Sequence, residues 1–286
     1  MKINSAKLIL GTANLCTKYG NKAPYINEAK SKNLLNFAYK KKIKILDISS
    51  GYDCYKALVK QYNFKNWKIS FKISKKNIDN LKTSIEVEDF IKNLLILFKK
   101  KKIEYFLFHN SKDIFSRKGK IVFDVLRKFK KINKIGKIGV SVYSNSEIIR
   151  LLKKYKINII QAPFNIFDQR LNEIKLLKIL KKQKIEIHAR SIFLQGILID
   201  KKLVSKKIFK FIEMHKWYDF LKKNNLNSIS EILNFTNQHK FINKIIFGVR
   251  STKQLKEILD TNIKDKKNNY STFKVKKIKL IDPRKW

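Results

Sequence analysis

Eight short apolar runs, each followed by a lysine-rich amphipathic stretch and spaced by roughly 30 residues, predict an α/β chain folded as a (β/α)8 TIM barrel. Two further observations support that class. No linker-like stretch interrupts the 286 residues, so a single barrel domain over 1–286 is expected. The segment after the first run carries only Gly11 and Gly20, without the G-x-G-x-x-G turn that a doubly wound open sheet would place there.

The first strand is Leu8-Ile9-Leu10-Gly11-Thr12, followed by a polar loop with Tyr19 and Gly20 and a helix over Asn27 to Lys41. Ile43 to Ile48 reads as the second strand, with few polar residues among its apolar ones, and Tyr55 to Tyr62 as its helix. Trp67 to Ile73 is the third strand. Ser84, with Glu86, Glu88 and Asp89 behind it, marks a helix start, because a capping hydroxyl and early acids suit the N-terminal dipole. That helix is expected to reach about Lys101.

Glu104 to Phe108 is the fourth strand, with a helix over Lys120 to Lys131, and Ile138 to Val142 the fifth, with a helix from Ser146. Ile159 to Pro163 is the sixth, its helix Leu171 to Gln183, and Ile185 to Ala189 the seventh. The longest connection, Ser191 to Lys240, turns helical near Ser228 to Gln238. Ile245 to Val249 and a helix over Thr252 to Leu259 complete the eight units, and a polar tail follows Lys264.

The chain carries 66 Lys+Arg against 22 Asp+Glu, a formal charge of +44. Such a balance suggests a polyanion binder. Only seven of the basic residues are arginine, however, the side chain that base readers favour, and the lysines fall on nearly every expected helix rather than on one face. Abundant Lys, Ile and Asn with scarce Gly and Pro are what an AT-rich genome imposes, so no specific nucleic-acid partner is expected. No run of about 18 uncharged apolar residues is present, so no membrane span is expected. The stretch MKINSAKLILGTAN lacks a long apolar region and a small-residue cleavage site and reads as a strand. Cys16 and Cys54 show no metal-ligand spacing and are too few for a disulfide framework, which points to a reducing, cytoplasmic compartment.

Chemistry-bearing side chains gather at strand ends. In ILDISSGY, Asp47 sits near the end of the second strand and Tyr52 follows a Ser-Ser-Gly turn. KISFKIS places Lys72 near the end of the third, and IEYFLFHN places His109 at the end of the fourth. In a barrel the C-terminal strand ends form the active-site face.

These segments resemble the aldo-keto reductase family, and the resemblance runs over nearly the whole chain. LGTANLCTKYG, ILDISSGYDCY, FKIS, LFHN, IGKIGVSVYS, IIQAPFNIFDQR, HARSIFLQG and IIFGVRSTKQLKE follow in the family's order. The resemblance implies reduction of a small-molecule carbonyl (an aldehyde, ketone or sugar) by NADPH, with NADH possible. Tyr52 would then give the alkoxide its proton, Lys72 would favour the phenolate by charge, Asp47 would hold Lys72, and His109 would orient the carbonyl.

The same matching assigns cofactor contacts. Gly11 and Thr12 would admit backbone to the dinucleotide, with Asp47 beside them. Ser141 and Gln161 match the carboxamide partners, although Val142 stands where an Asn often follows the serine. Arg190 takes the place of an aromatic ring that many members stack on the nicotinamide. Gly248, Arg250, Ser251, Gln254 and Glu257 would meet the adenosine half at a helix N-terminus. Gln254 replaces an arginine common in NADPH-preferring members, Ile258 replaces an Asn that often follows Glu257, and Lys253 or Lys256 is the stand-in cation. Phe209, Phe211, Trp217 and Tyr218 would line the substrate mouth or simply pack. The competing readings are a catalytically silent, nucleotide-sensing or interaction barrel, and a polyanion binder.

Overall fold

The computed structural model describes residues 1–16, 27–52, 55–263 and 268–286. The loop with Tyr19 and Gly20, Cys54 and the start of the tail at Lys264 lie outside the described residues. Among the described residues are eight strands: β1 (Leu8–Gly11), β2 (Ile45–Ser49), β3 (Lys68–Ile73), β4 (Ile103–Phe108), β5 (Ile135–Ser141), β6 (Ile159–Pro163), β7 (Glu186–Arg190) and β8 (Lys244–Phe247). Each pairs in parallel with its sequence neighbours, and β8 returns to β1, so the sheet closes as the expected (β/α)8 barrel.

Parallel strands buried on both faces need apolar residues on both, with polar exceptions where something is held. β2 is wholly buried, Asp47 included. Ile9, Ile45, Tyr105, Leu107, Ile159 and Ile246, all from strands, form a small apolar cluster of their own. A far larger cluster contains the outward strand residues and the helices packed on them. The register sets Asp47 beside Gly11 on β1 and Ser70 on β3, and Ser141 beside Gln161. Because side chains alternate along a strand, Ser70 and Lys72 share one face of β3 while Phe71 takes the other.

Several boundaries differ from the sequence expectation for local reasons. Thr83, not Ser84, caps the helix Ser84–Leu97, in a reciprocal capping box with Glu86. Ser116 accepts from the Gly119 N–H at 2.9 Å and starts the helix Arg117–Lys131 three residues before Lys120. β5 begins at Ile135 because that residue pairs with Ile103. The connection after β7 holds a second helix, Ile212–Lys223, whose buried stripe is Met214, Trp217 and Leu221. Among the described residues, no helix is long and apolar enough to cross a membrane.

Phe71 anchors the strand that carries Lys72. Its ring is fully buried and packs at 5.5–6.3 Å from those of Tyr55, Phe90, Phe98 and Phe106. Phe71→Ala is expected to cost about 3–5 kcal/mol in urea unfolding. A loss below about 1 kcal/mol would contradict this anchoring role.

Candidate active site

At the C-terminal end of the barrel, the Asp47 carboxylate and the Lys72 ammonium form a salt bridge whose side chains are only 3% and 5% exposed. Neither charge would survive there alone, and each has further partners. The Ser70 hydroxyl donates to Asp47 Oδ1 at 3.0 Å, and the Gln161 amide donates to the same oxygen at 3.1 Å. Gln161 Oε1 in turn accepts from Lys72 at 3.3 Å. Three strands, β2, β3 and β6, are thus tied by one polar knot. Burial pulls the Lys72 ammonium below its ordinary value, against the opposing pull of Asp47.

Tyr52 and His109 stand above the knot. Lys72 Nζ lies 5.9 Å from the centroid of the half-buried Tyr52 ring, and the His109 ring meets Tyr52 edge-on at 6.3 Å. Burial first, and the Lys72 charge second, push His109 down to about 4, so its imidazole is neutral near pH 7. Its Nδ1 lies 2.9 Å from Ser49 Oγ. The structure therefore brings Asp47, Tyr52, Lys72 and His109 together.

A cavity of about 530 Å³, within the range of small-molecule sites, opens over Asp47, Tyr52 and Lys72, with His109 outside its lining and in contact with it through the Tyr52 ring. Gly11, Asp47, Gln161, Arg190, Gly248, Arg250, Gln254 and Glu257 line it, as do Tyr52 and Lys72. The other three residues matched to the cofactor are outside its lining, Thr12 and Ser141 buried and Ser251 exposed. Thr12 is fully buried, and its hydroxyl donates to the Asp47 carbonyl at 3.0 Å. Ser141 is buried beside Gln161 on the next strand. Ser251 caps the helix Thr252–Asp260 by accepting from Gln254 N–H, while Gln254 Oε1 accepts from Arg250 N–H at 2.8 Å.

Lys253 and Lys256 are absent from this lining; they edge a separate surface depression with Asn33, Asn36, Phe37 and Lys40. Arg190 lies over the Tyr143 ring, 4.1 Å from its centroid, and donates to the Val142 carbonyl at 3.1 Å. Arg284 from the C-terminal tail lies over the same ring at 3.3 Å. Phe209, Phe211, Trp217 and Tyr218 pack away from the cavity; the Trp217 indole is fully buried and donates to the Leu198 carbonyl. From their connection Ile192, Phe193 and Gln195 line the wall instead. There Ser191, Leu194 and Gln195 hold φ values of 57°, 45° and 55°, in the left-handed region that is uncommon for non-glycine residues.

A nicotinamide dinucleotide fits these residues. Gly11 and Gly248 present bare backbone to the cavity, and a Cβ at Gly248 would come within 2.8 Å of Asn14 Nδ2. Arg190 Nε is buried without a hydrogen-bond partner among the described residues. Sequence reading missed Ser49, Ser70, Asn14 and Tyr143. Ser49 and Ser70 stand two residues from Asp47 and Lys72 on the same strand faces, the one signal that marks them.

Fold and site together describe an oxidoreductase barrel, and the chain belongs to the Aldo/keto reductase family, whose model matches residues 7–278. Comparison with curated proteins gave no match. Among solved structures, the holo form of an aldo-keto reductase from Bacillus halodurans is 13% identical, with 90% of this chain and 88% of that one covered and a TM-score of 0.71. The glycerol dehydrogenase of Gluconobacter oxydans is 15% identical, covering 91% and 88%, at 0.65. An aldo-keto reductase from a deep-sea metagenome is 12% identical, covering 92% and 86%, at 0.61. At these identities the likeness is one of fold.

Asp47→Asn leaves the buried Lys72 ammonium without its carboxylate and is expected to cost about 3–5 kcal/mol in urea unfolding. The double variant Asp47→Asn/Lys72→Met should lose less than the sum of the two single changes; strict additivity would deny the pair. His109 gives a pH signature. Its folded value lies below the ordinary 6.5, so its neutral form stabilises above that pH, and the contribution is lost as pH falls towards about 4. Buried His188 is lowered in the same direction, so the comparison is with His109→Asn. Wild type should lose more stability than that variant between these pH values; equal slopes would contradict the burial of His109.

Proposed function

We propose that this chain is an NAD(P)H-dependent reductase that converts a small aldehyde, ketone or sugar carbonyl to its alcohol, with Tyr52 as proton donor. The observation that carries the reading is a phenol and an ammonium–carboxylate pair lining one cavity, with a neutral imidazole edge-on to the phenol ring. A reduced nicotinamide, when bound, supplies the hydride. The residues do the rest. An alkoxide forming at the carbonyl oxygen takes its proton from the Tyr52 hydroxyl. The Lys72 ammonium lowers the cost of the phenolate left behind, and Asp47 keeps that ammonium charged in a buried place. Neutral His109 offers an N–H to the same oxygen and fixes its direction.

Gly11, Asp47, Gln161, Arg190, Gly248, Arg250, Gln254 and Glu257 would hold the dinucleotide from the cavity wall. Thr12 and Ser141 would support it from behind, and Ser251 would act through the helix N-terminus it caps. NADPH is the proposed cofactor, with NADH possible. Arg250 is the cation on the adenosine side of the lining, since Lys253 and Lys256 belong to the outer depression. The single domain over 1–286 and a cytoplasmic setting remain part of this proposal.

The test is an NADPH titration followed by nicotinamide fluorescence, then an aldehyde and ketone panel. Tyr52→Phe should cut reduction by at least about a hundredfold while leaving cofactor affinity within a few-fold. Turnover comparable to wild type would remove Tyr52 as the donor. Binding without oxidation would favour the silent, nucleotide-sensing barrel. Failure to bind, with tight salt-sensitive DNA association, would favour the polyanion binder.

A further inference from the structure

We propose that Ser49 is a positioning residue that holds the proton of His109 on Nε2, so that the imidazole faces the reacting oxygen as a donor rather than as an acceptor. A neutral imidazole carries one proton, and which nitrogen holds it is set by the partner of the other. The hydrogen bonds around Nδ1 set that choice.

Ser49 Oγ touches three groups: it accepts from Gly51 N–H at 3.1 Å, lies 3.3 Å from the Lys72 carbonyl, and lies 2.9 Å from His109 Nδ1. Its single proton can serve only one of the last two. The Lys72 carbonyl already receives Ser50 N–H at 3.0 Å and has the Ser50 hydroxyl 3.4 Å away, so it does not depend on Ser49 for a donor. The Ser50 hydroxyl is itself oriented for that donation, because its oxygen accepts from Ser74 N–H at 2.9 Å. Of the two groups that could take the Ser49 proton, His109 Nδ1 is the nearer, at 2.9 Å against 3.3 Å for the Lys72 carbonyl, and we assign the proton to it. With Nδ1 accepting, the ring proton resides on Nε2, on the far side of the ring from Ser49. Gly51 packs against the pair, since a Cβ there would lie 3.5 Å from both His109 Nδ1 and Ser49 Oγ. Ser49 itself is fully buried, so water does not compete for the bond. The opposite tautomer would point a lone pair at the carbonyl oxygen and repel it.

The consequence for turnover rests on the carbonyl-reductase reading, whereas the tautomer does not require it. The experiment is imidazole ¹⁵N NMR of the protein at pH 7, with His109→Asn to assign the resonances and Ser49→Ala and Ser49→Thr alongside. Wild type should show an acceptor-type Nδ1 and a protonated Nε2 at His109. Ser49→Ala should mix or invert the tautomers, and Ser49→Thr, which keeps the hydroxyl, should restore them. In turnover, Ser49→Ala should lower kcat about tenfold with cofactor KM little changed, as for other partners that orient a functional histidine. A protonated Nδ1 in wild type overturns the assignment even if Ser49→Ala does not fold. So does a Ser49→Ala spectrum identical to wild type. Absence of carbonyl reduction in every form instead overturns the functional reading, and the wild-type spectrum still decides the role of Ser49.

Discussion

The buried pair between Asp47 and Lys72 is the constraint on which the active-site end of the barrel depends. Opposite charges at 3% and 5% exposure are stable only when each keeps its partner and its remaining hydrogen bonds. Ser70 and Gln161 supply those bonds, so strands β2, β3 and β6 hold one relative register at this level. Hydrophobic residues of similar size would pack there without the desolvation penalty. A charged pair in the lining of a cavity, beside a phenol, would serve the proton transfer proposed above, which gives the barrel a reason to tolerate that penalty.

A second charged cluster lies near the starts of β5 and β7. Glu186 on β7 pairs with Lys137 on β5 and with fully buried His188, two residues further along its own strand, and Tyr105 meets the His188 ring edge-on at 5.0 Å. Burial raises Glu186, but the bonds from His188 and Lys137 outweigh it and bring the carboxyl to about 2. In both clusters a carboxylate is matched by a nearby cation or imidazole. The formal +44 of the chain accordingly says little about its interior chemistry.

Much of this was legible in the sequence, because both the period of the strands and the residues at their ends are local signals. Asp47, Lys72 and His109 were readable as strand-terminal residues, and the closed topology followed from eight repeats of one pattern. Boundaries were less legible where a neighbouring residue competes for the cap, as Thr83 does with Ser84. The aromatic residues after β7 were ambiguous because Trp217 and Tyr218 spend their polar atoms on backbone carbonyls of the preceding loop, a long-range outcome that spacing does not encode. Tyr143 was invisible for a similar reason: its arginine neighbours, Arg190 and Arg284, are 47 and 141 residues away in the sequence. Ser49 and Ser70 acquire meaning only once the strands are in register.

The most direct measurement of the central claim uses NADPH carrying deuterium at the reactive position of C4, a carbonyl substrate from the panel, and product analysis by NMR. The account expects one deuterium on the carbinol carbon of the alcohol for each dinucleotide oxidised. A dinucleotide that binds the barrel yet returns unchanged across the whole panel, with no label in any product, would contradict it.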